Sequence, residues 1–201
     1  MTIPTIQQCY SLMSEYAMLD NIRAHSIMVA RVAQVLLQGL ADSPKTKTVV
    51  PSDKLVLAGA LLHDIAKTQC LKNRCDHAKR GRDICLELGY PAVAEVVREH
   101  VILTEFSVTR YKKGHFLAKE LVYYADKRVR HDEVVSIEER LDYILEYYGN
   151  NDSKRYSMIR ENFEKCRQLE KFLFSSIEIT ADSIQKTISD DSSNPEKYFT
   201  T

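Results

Sequence analysis

The sequence predicts an all-α fold, a single-domain helical bundle with a C-terminal helical extension. Apolar residues recur at three- and four-residue intervals along most of the chain. No clean two-residue alternation bounded by turn residues occurs, so strands should be few or absent. The 201 residues include only six Gly and five Pro, and this length suits one sizeable domain. A 44% hydrophobic and 28% charged composition fits a folded chain with a large core rather than a disordered one.

The elements follow in order. A first helix is expected over about Thr5 to Leu19, and a second from about Asn21 to Leu40, capped by Asp20 or Asn21. The polar stretch ADSPKTKTVVPS reads as a loop. Ser52 or Asp53 then opens a helix whose residues LVLAGALLHDIA are apolar on nearly every side, the mark of a central, buried helix. The basic stretch KTQCLKNRC reads as a loop leading to Asp76, which caps HAKRGRDICLEL; that helix stops at Gly89, and Pro91 starts AVAEVVREHV. LTEFSVTRYKKGH has no strong period. Helices FLAKELVYYADKRV and IEERLDYILEYYG follow, the latter ending at Gly149, and one or two more span about Asp152 to Ile188. The divisions expected are an N-terminal helix over 1–20, a central domain carrying the ionisable residues over 21–135, C-terminal helices packed on it over 136–188, and a polar, mobile tail over 189–201.

Lys plus Arg equals Asp plus Glu, 28 against 28, so no global field draws the chain to nucleic acid or an anionic membrane. No run approaches the 18 consecutive apolar residues of a membrane span, and MTIPTIQQCY lacks a basic region followed by an apolar one. The expectation is a cytoplasmic protein with no membrane and no long nucleic acid as partner, its oligomeric state left open. Cys9, Cys70, Cys75, Cys85 and Cys166 form an odd, scattered set that does not resemble a secreted disulfide framework, so reduced thiols are expected. Cys70, Cys75 and His77 make at most a fragment of a zinc pattern.

Six ionisable residues fall on apolar faces. His25 shares a helical stripe with Val29, Val32 and Leu36; His77 with Gly81, Ile84, Cys85 and Leu88; His100 with Val93, Val96 and Val97; Asp126 with Val122 and Val129. The central helix adds His63 and Asp64. Buried charges are normally paired or bound to metal, and one shared metal centre resolves all six. Adjacent helical side chains diverge by about 100°, so His63 and Asp64 reach one centre only if it lies between them or the last helical turn opens. Asp64, with two oxygens, is the natural bridge.

The order His25, His63-Asp64, Asp126 resembles the H…HD…D signature of the HD-domain metal-dependent phosphohydrolase superfamily. Its setting, ALLHDIAK with HAKRGRDICLELG, AVAEVVREH and VYYADKRV, extends the resemblance over about residues 21 to 130. The resemblance implies a helical fold with His25, His63, Asp64 and Asp126 around a first ion, and His77 and His100 in the places where binuclear members add two histidines. Ala66 replaces the glycine of the HDIG variant. Val101 stands where cyclic-di-GMP phosphodiesterases of the HD-GYP group carry a second histidine, and GYP here precedes His100, which argues against that substrate.

Imidazole and carboxylate ligands favour a divalent transition metal, Fe, Mn, Zn or Co, over Mg, and six of them suggest two ions with open positions. The predicted reaction is attack by a metal-activated water on the phosphorus of a nucleotide or other small phosphorylated substrate. Asp64 is the catalytic bridge, Lys67 a catalytic or substrate contact, and Arg80 and Lys127 are candidate substrate contacts. The alternatives are a di-iron oxygenase of the same superfamily and a non-catalytic nucleotide-binding signalling module. The loop cations Lys72 and Arg74 and the histidines His115 and His131 are read as uninvolved, and the tyrosines of the C-terminal half as packing.

Overall fold

The computed structural model describes residues 2–44 and 50–190. The centre of the loop expected over ADSPKTKTVVPS and the end of the tail, from residue 191, lie outside the described residues. Helix α1, Ile6–Glu15, begins with a capping box: Thr5 Oγ1 accepts from Gln8 N and Gln8 Oε1 accepts from Thr5 N. Helix α2, Asp20–Asp42, is capped at Leu19 rather than at Asp20 or Asn21, because Leu19 N donates to Thr68 Oγ1 and the chain turns one residue earlier. Asp20 then sits in the first turn, where the helix dipole favours it. By length and composition α2 matches a membrane span, but its stripe Ile22, Val29, Val32, Leu36 and Leu40 is buried in the core.

Helix α3, Asp53–Leu62, is the axis of the bundle. Every residue from Val56 to Leu62 is buried, and the helix packs against α1, α2, α6 and α8. A Cβ on Gly59 would meet Val96 Cγ1 at 2.5 Å, so only glycine allows α6 this close. The basic stretch expected as a loop is instead helix α4, Lys67–Asn73, ended by Arg74 in the left-handed region at φ +54°. Seven residues are too few for an apolar period to show. That turn brings the Cα atoms of Cys70 and Cys75 to 4.6 Å, and the two form a disulfide. The expectations of reduced thiols here and of a zinc fragment are thereby corrected, while Cys9, Cys85 and Cys166 are free and buried.

Asp76 caps α5, His77–Glu87, accepting from Lys79 N; the chain reverses at Gly89, φ +80°, and Pro91 opens α6, Pro91–Glu99. A short helix α7, Val108–Tyr111, lies in the segment without a period. Glu120 pins that segment, accepting from both Arg110 Nη atoms, Tyr111 Oη and Leu117 N. After α8, Ala118–Asp126, a two-residue hairpin pairs β1, Val129–Arg130, with β2, Glu133–Val134. Helices α9, Ile137–Tyr148, α10, Ser153–Ser176, and α11, Ile184–Asp190, follow among the described residues. Arg128, buried, fastens them to the bundle: it donates to Val135 O, Tyr124 Oη, Glu170 Oε2 and Ala181 O.

Candidate metal centre

The ends of four helices meet at one point. Helix α3 stops at Leu62, His63 is its C-cap, and residues 63–66 form a turn before α4. The last turn has therefore opened, and His63 and Asp64 reach the same centre. His77 is the first residue of α5, His100 the C-cap of α6, and Asp126 the last residue of α8, while His25 enters from the interior of α2. Two donor groups result, His25 with His63 and Asp64, and Asp64 with His77 and His100, each with its ligand atoms within 4.8 Å of one another.

Asp64 belongs to both groups through different oxygens. Its Oδ2 lies 3.4 Å from His63 Nε2, and its Oδ1 lies 3.3 Å from His77 Nε2 and 3.6 Å from His100 Nε2. Asp126 Oδ1 joins the first group, 3.0 Å from His25 Nε2 and 3.7 Å from His63 Nε2.

Backbone carbonyls set which imidazole nitrogen faces inward. His25 Nδ1 pairs with His131 O at 2.8 Å, His63 Nδ1 with Ala60 O at 2.7 Å, and His100 Nδ1 with Val97 O at 2.6 Å. A carbonyl only accepts, so Nδ1 carries the proton and the Nε2 lone pair points to the centre, the orientation typical of metal-ligating histidine. His63 Nε2 and Asp64 Oδ1 are buried without a hydrogen-bond partner, and His77 Nε2 and His100 Nε2 face each other at 3.2 Å. Orphaned, converging nitrogen and oxygen donors fit a divalent transition metal.

The electrostatics agree. Burial opposes ionisation of Asp64, but Lys67 and His63 outweigh it and hold the carboxyl well below its usual range; Lys127 and His25 do the same for Asp126. Burial pushes His25, His77 and His100 down, His100 to about 4. His63 moves the other way because the charges of Asp64 and Asp126 overcome its burial. Ionised carboxylates beside neutral His25, His77 and His100 are the protonation states that metal ligation requires, and at His63 a bound cation would have to displace the proton that the carboxylates favour.

The centre opens onto a cleft of about 630 Å³ between the bundle and helices α9 and α10. Lys67, His77, His100, Asp126 and Lys127 line its inner end. Lys67 Nζ donates to Asp64 Oδ2 at 2.6 Å; burial would depress this amine, but Asp64 and Asp126 raise it. Lys127 is more enclosed: its Nζ donates to His100 O at 2.7 Å, approaches Asp126 Oδ2 at 3.3 Å, and lies over the Tyr123 ring. It holds two of the grouped residues in place.

Arg80 is not brought to the centre. It stands one turn after His77 but directs its guanidinium to Glu87 at 2.9 Å, on the outer side of α5, which corrects its expected place in substrate binding. Two further contributors come from outside the expected set. His131 acts through its backbone, at φ +55°, which no side-chain pattern reveals. Arg140 lines the cleft, its side chain 9% exposed; it stands on the stripe of Ile137, Leu141 and Ile144, where the apolar period of α9 marks it as inward-facing.

The fold and the centre define a helical protein built around a histidine–aspartate metal site. The HD domain family model matches residues 22–144, and the chain belongs to that family, whose fold is all-α and which falls in a superfamily generally of metal-dependent hydrolases. The chain is also similar to the tRNA (cytidine(56)-2'-O)-methyltransferase of Picrophilus torridus, 28% identical over 150 residues, which covers 70% of this chain and 40% of that one. The chain thus spans less than half the length of that relative. No solved structure matches.

Proposed function

We propose that the protein is a metal-dependent phosphohydrolase that cleaves a phosphoester or phosphoanhydride bond of a nucleotide or other small phosphorylated substrate. The observation that carries this reading is the pair of donor groups sharing Asp64 at the inner end of a cleft that also holds a lysine. His25, His63, Asp64 and Asp126 would hold one ion, and Asp64, His77 and His100 a second. Divalent ions bound there would supply Lewis acidity and lower the pKa of a coordinated water.

The chain itself supplies orientation and charge. Asp64 sets the spacing between the two donor groups. Lys67 neutralises Asp64 and offers its remaining N–H groups to a phosphate oxygen, while Lys127 fixes His100 and Asp126 from behind. The apolar cleft limits water around the reacting group. The balanced charge of the chain offers no track for a long polyanion, so a small substrate in the cytoplasm, away from membranes, is the reading. Methyl transfer, named for the relative, is not proposed, because the chain spans only 40% of that protein.

The test is phosphate or pyrophosphate release across nucleoside mono-, di-, cyclic and dinucleoside phosphates, with Mn, Fe(II), Co or Zn bound. Asp64→Asn should lower turnover by more than the roughly 10- to 100-fold typical of losing a residue that merely orients a ligand. Silence across the whole screen, with metal content verified, overturns the proposal.

A further inference from the structure

We infer that Arg140 is the anion clamp of the cleft, and that the cleft selects phosphate esters whose organic part is apolar or planar rather than polyhydroxylated; the inference rests on the hydrolase reading above. Arg140 projects from α9 with its side chain nine-tenths buried, and its Nε is buried without a hydrogen-bond partner. The nearest carboxylate oxygen is Asp126 Oδ1, 4.0 Å from Nη2. That carboxylate already faces His25 through Oδ1 at 3.0 Å and Lys127 through Oδ2 at 3.3 Å, so it does not satisfy the guanidinium fork. A buried guanidinium with an orphaned donor is costly unless something else completes it.

The geometry indicates what completes it. Arg140 lines the same cleft as His77, His100 and Asp126, and its planar fork matches a tetrahedral oxyanion through two parallel hydrogen bonds. The Tyr143 ring, 5.4 Å from the guanidinium carbon, supports the fork from α9 itself. Next to this charged end Ile144, Met158, Ile159 and Phe163 form an apolar patch, with Asp152, Lys154, Arg155 and Asn162 lining the cleft beyond it, and Met158 is 54% exposed. A cleft of about 630 Å³ has the size of a small-molecule site. Hydroxyls of a polyol phosphate that fall on this patch would lose water without gaining a partner, whereas a ring or alkyl body would bury apolar surface there.

The experiment is calorimetric titration of the metal-loaded full chain with phenylphosphonate and with methylphosphonate, neither of which is hydrolysed. Wild type should prefer phenylphosphonate by about 10-fold or more, and Ile144→Ala with Met158→Ala should narrow that preference. Arg140→Met, which keeps the buried stem, should weaken phenylphosphonate by about 10- to 100-fold. Arg140→Lys, which keeps the charge without the fork, should fall between the two and carries the test if the Met variant does not fold. Binding by the folded variants equal to wild type overturns the clamp, and equal binding of the two phosphonates overturns the selection. Loss of phenylphosphonate binding in Arg140→Met beside a wild type that hydrolyses no ester supports the clamp and removes the hydrolase reading. Unchanged ester hydrolysis in Arg140→Met overturns the clamp and keeps the hydrolase.

Discussion

Each histidine at the centre depends on a backbone carbonyl to choose its tautomer, except His77, whose ring is 28% exposed at the mouth of α5. This difference separates two substitutions that would otherwise look alike. His77→Ala and His100→Ala should each lower the bound metal from two ions towards one, measured by elemental analysis. If both variants retain the wild-type content, the two-ion proposal is wrong. Only His100→Ala should also lower the melting temperature of the metal-free protein, because it empties a fully enclosed site beside His63. At this scale much was legible in the sequence. His25, His77, His100 and Asp126 each stand on an apolar helical stripe, and His63-Asp64 closes a buried helix. The carbonyl of His131 was not legible, since it acts through a backbone conformation and not a side-chain type. Arg140 stands on the apolar stripe of α9, but its facing a cleft depends on how α9 meets α10.

Among the elements, α5 shows how a cap places a functional group. Asp76 both accepts from Lys79 N and precedes His77, so the cap sets the direction in which the histidine leaves the helix. Asp76→Ala should cost about 1 kcal/mol in thermal or denaturant unfolding and should weaken the second ion more than the first. Gly59→Val should be more damaging, because α3 and α6 touch at that residue; a loss on the order of 1–3 kcal/mol is expected from overpacking. The boundaries of α5 and α6 were readable from Asp76, Gly89 and Pro91. Helix α4 was not, because KTQCLKNRC contains too few apolar residues to display a period, and its ends are set by the contact of Thr68 with Leu19 and by the Cys70–Cys75 link.

Over the whole molecule, the C-terminal helices form the far wall of the cleft, and Arg128 joins them to the bundle beside Tyr123, Tyr124 and Asn162. Arg128→Met leaves the stem in place but removes donors to Val135 O, Tyr124 Oη, Glu170 Oε2 and Ala181 O. It should destabilise the fold by about 3 kcal/mol, judged from hydrogen-bonded buried charges elsewhere, as read from the denaturant midpoint. It should also weaken phenylphosphonate binding while the metal content stays near two ions. The helical class was open to reading because the three- and four-residue period runs almost throughout. The cleft was not, since Arg140, Ile144, Met158 and Phe163 belong to two helices whose meeting depends on tertiary packing.

The placement of the Cys70–Cys75 link sets His77 apart from the other histidines of the centre. His25, His63 and His100 are held by backbone carbonyls, whereas His77 follows Cys75 by two residues on a turn closed by a bond that thiols can open. Three of the four histidines are therefore anchored by the main chain itself, and the fourth rests on the Asp76 cap and on the turn that the Cys70–Cys75 link closes.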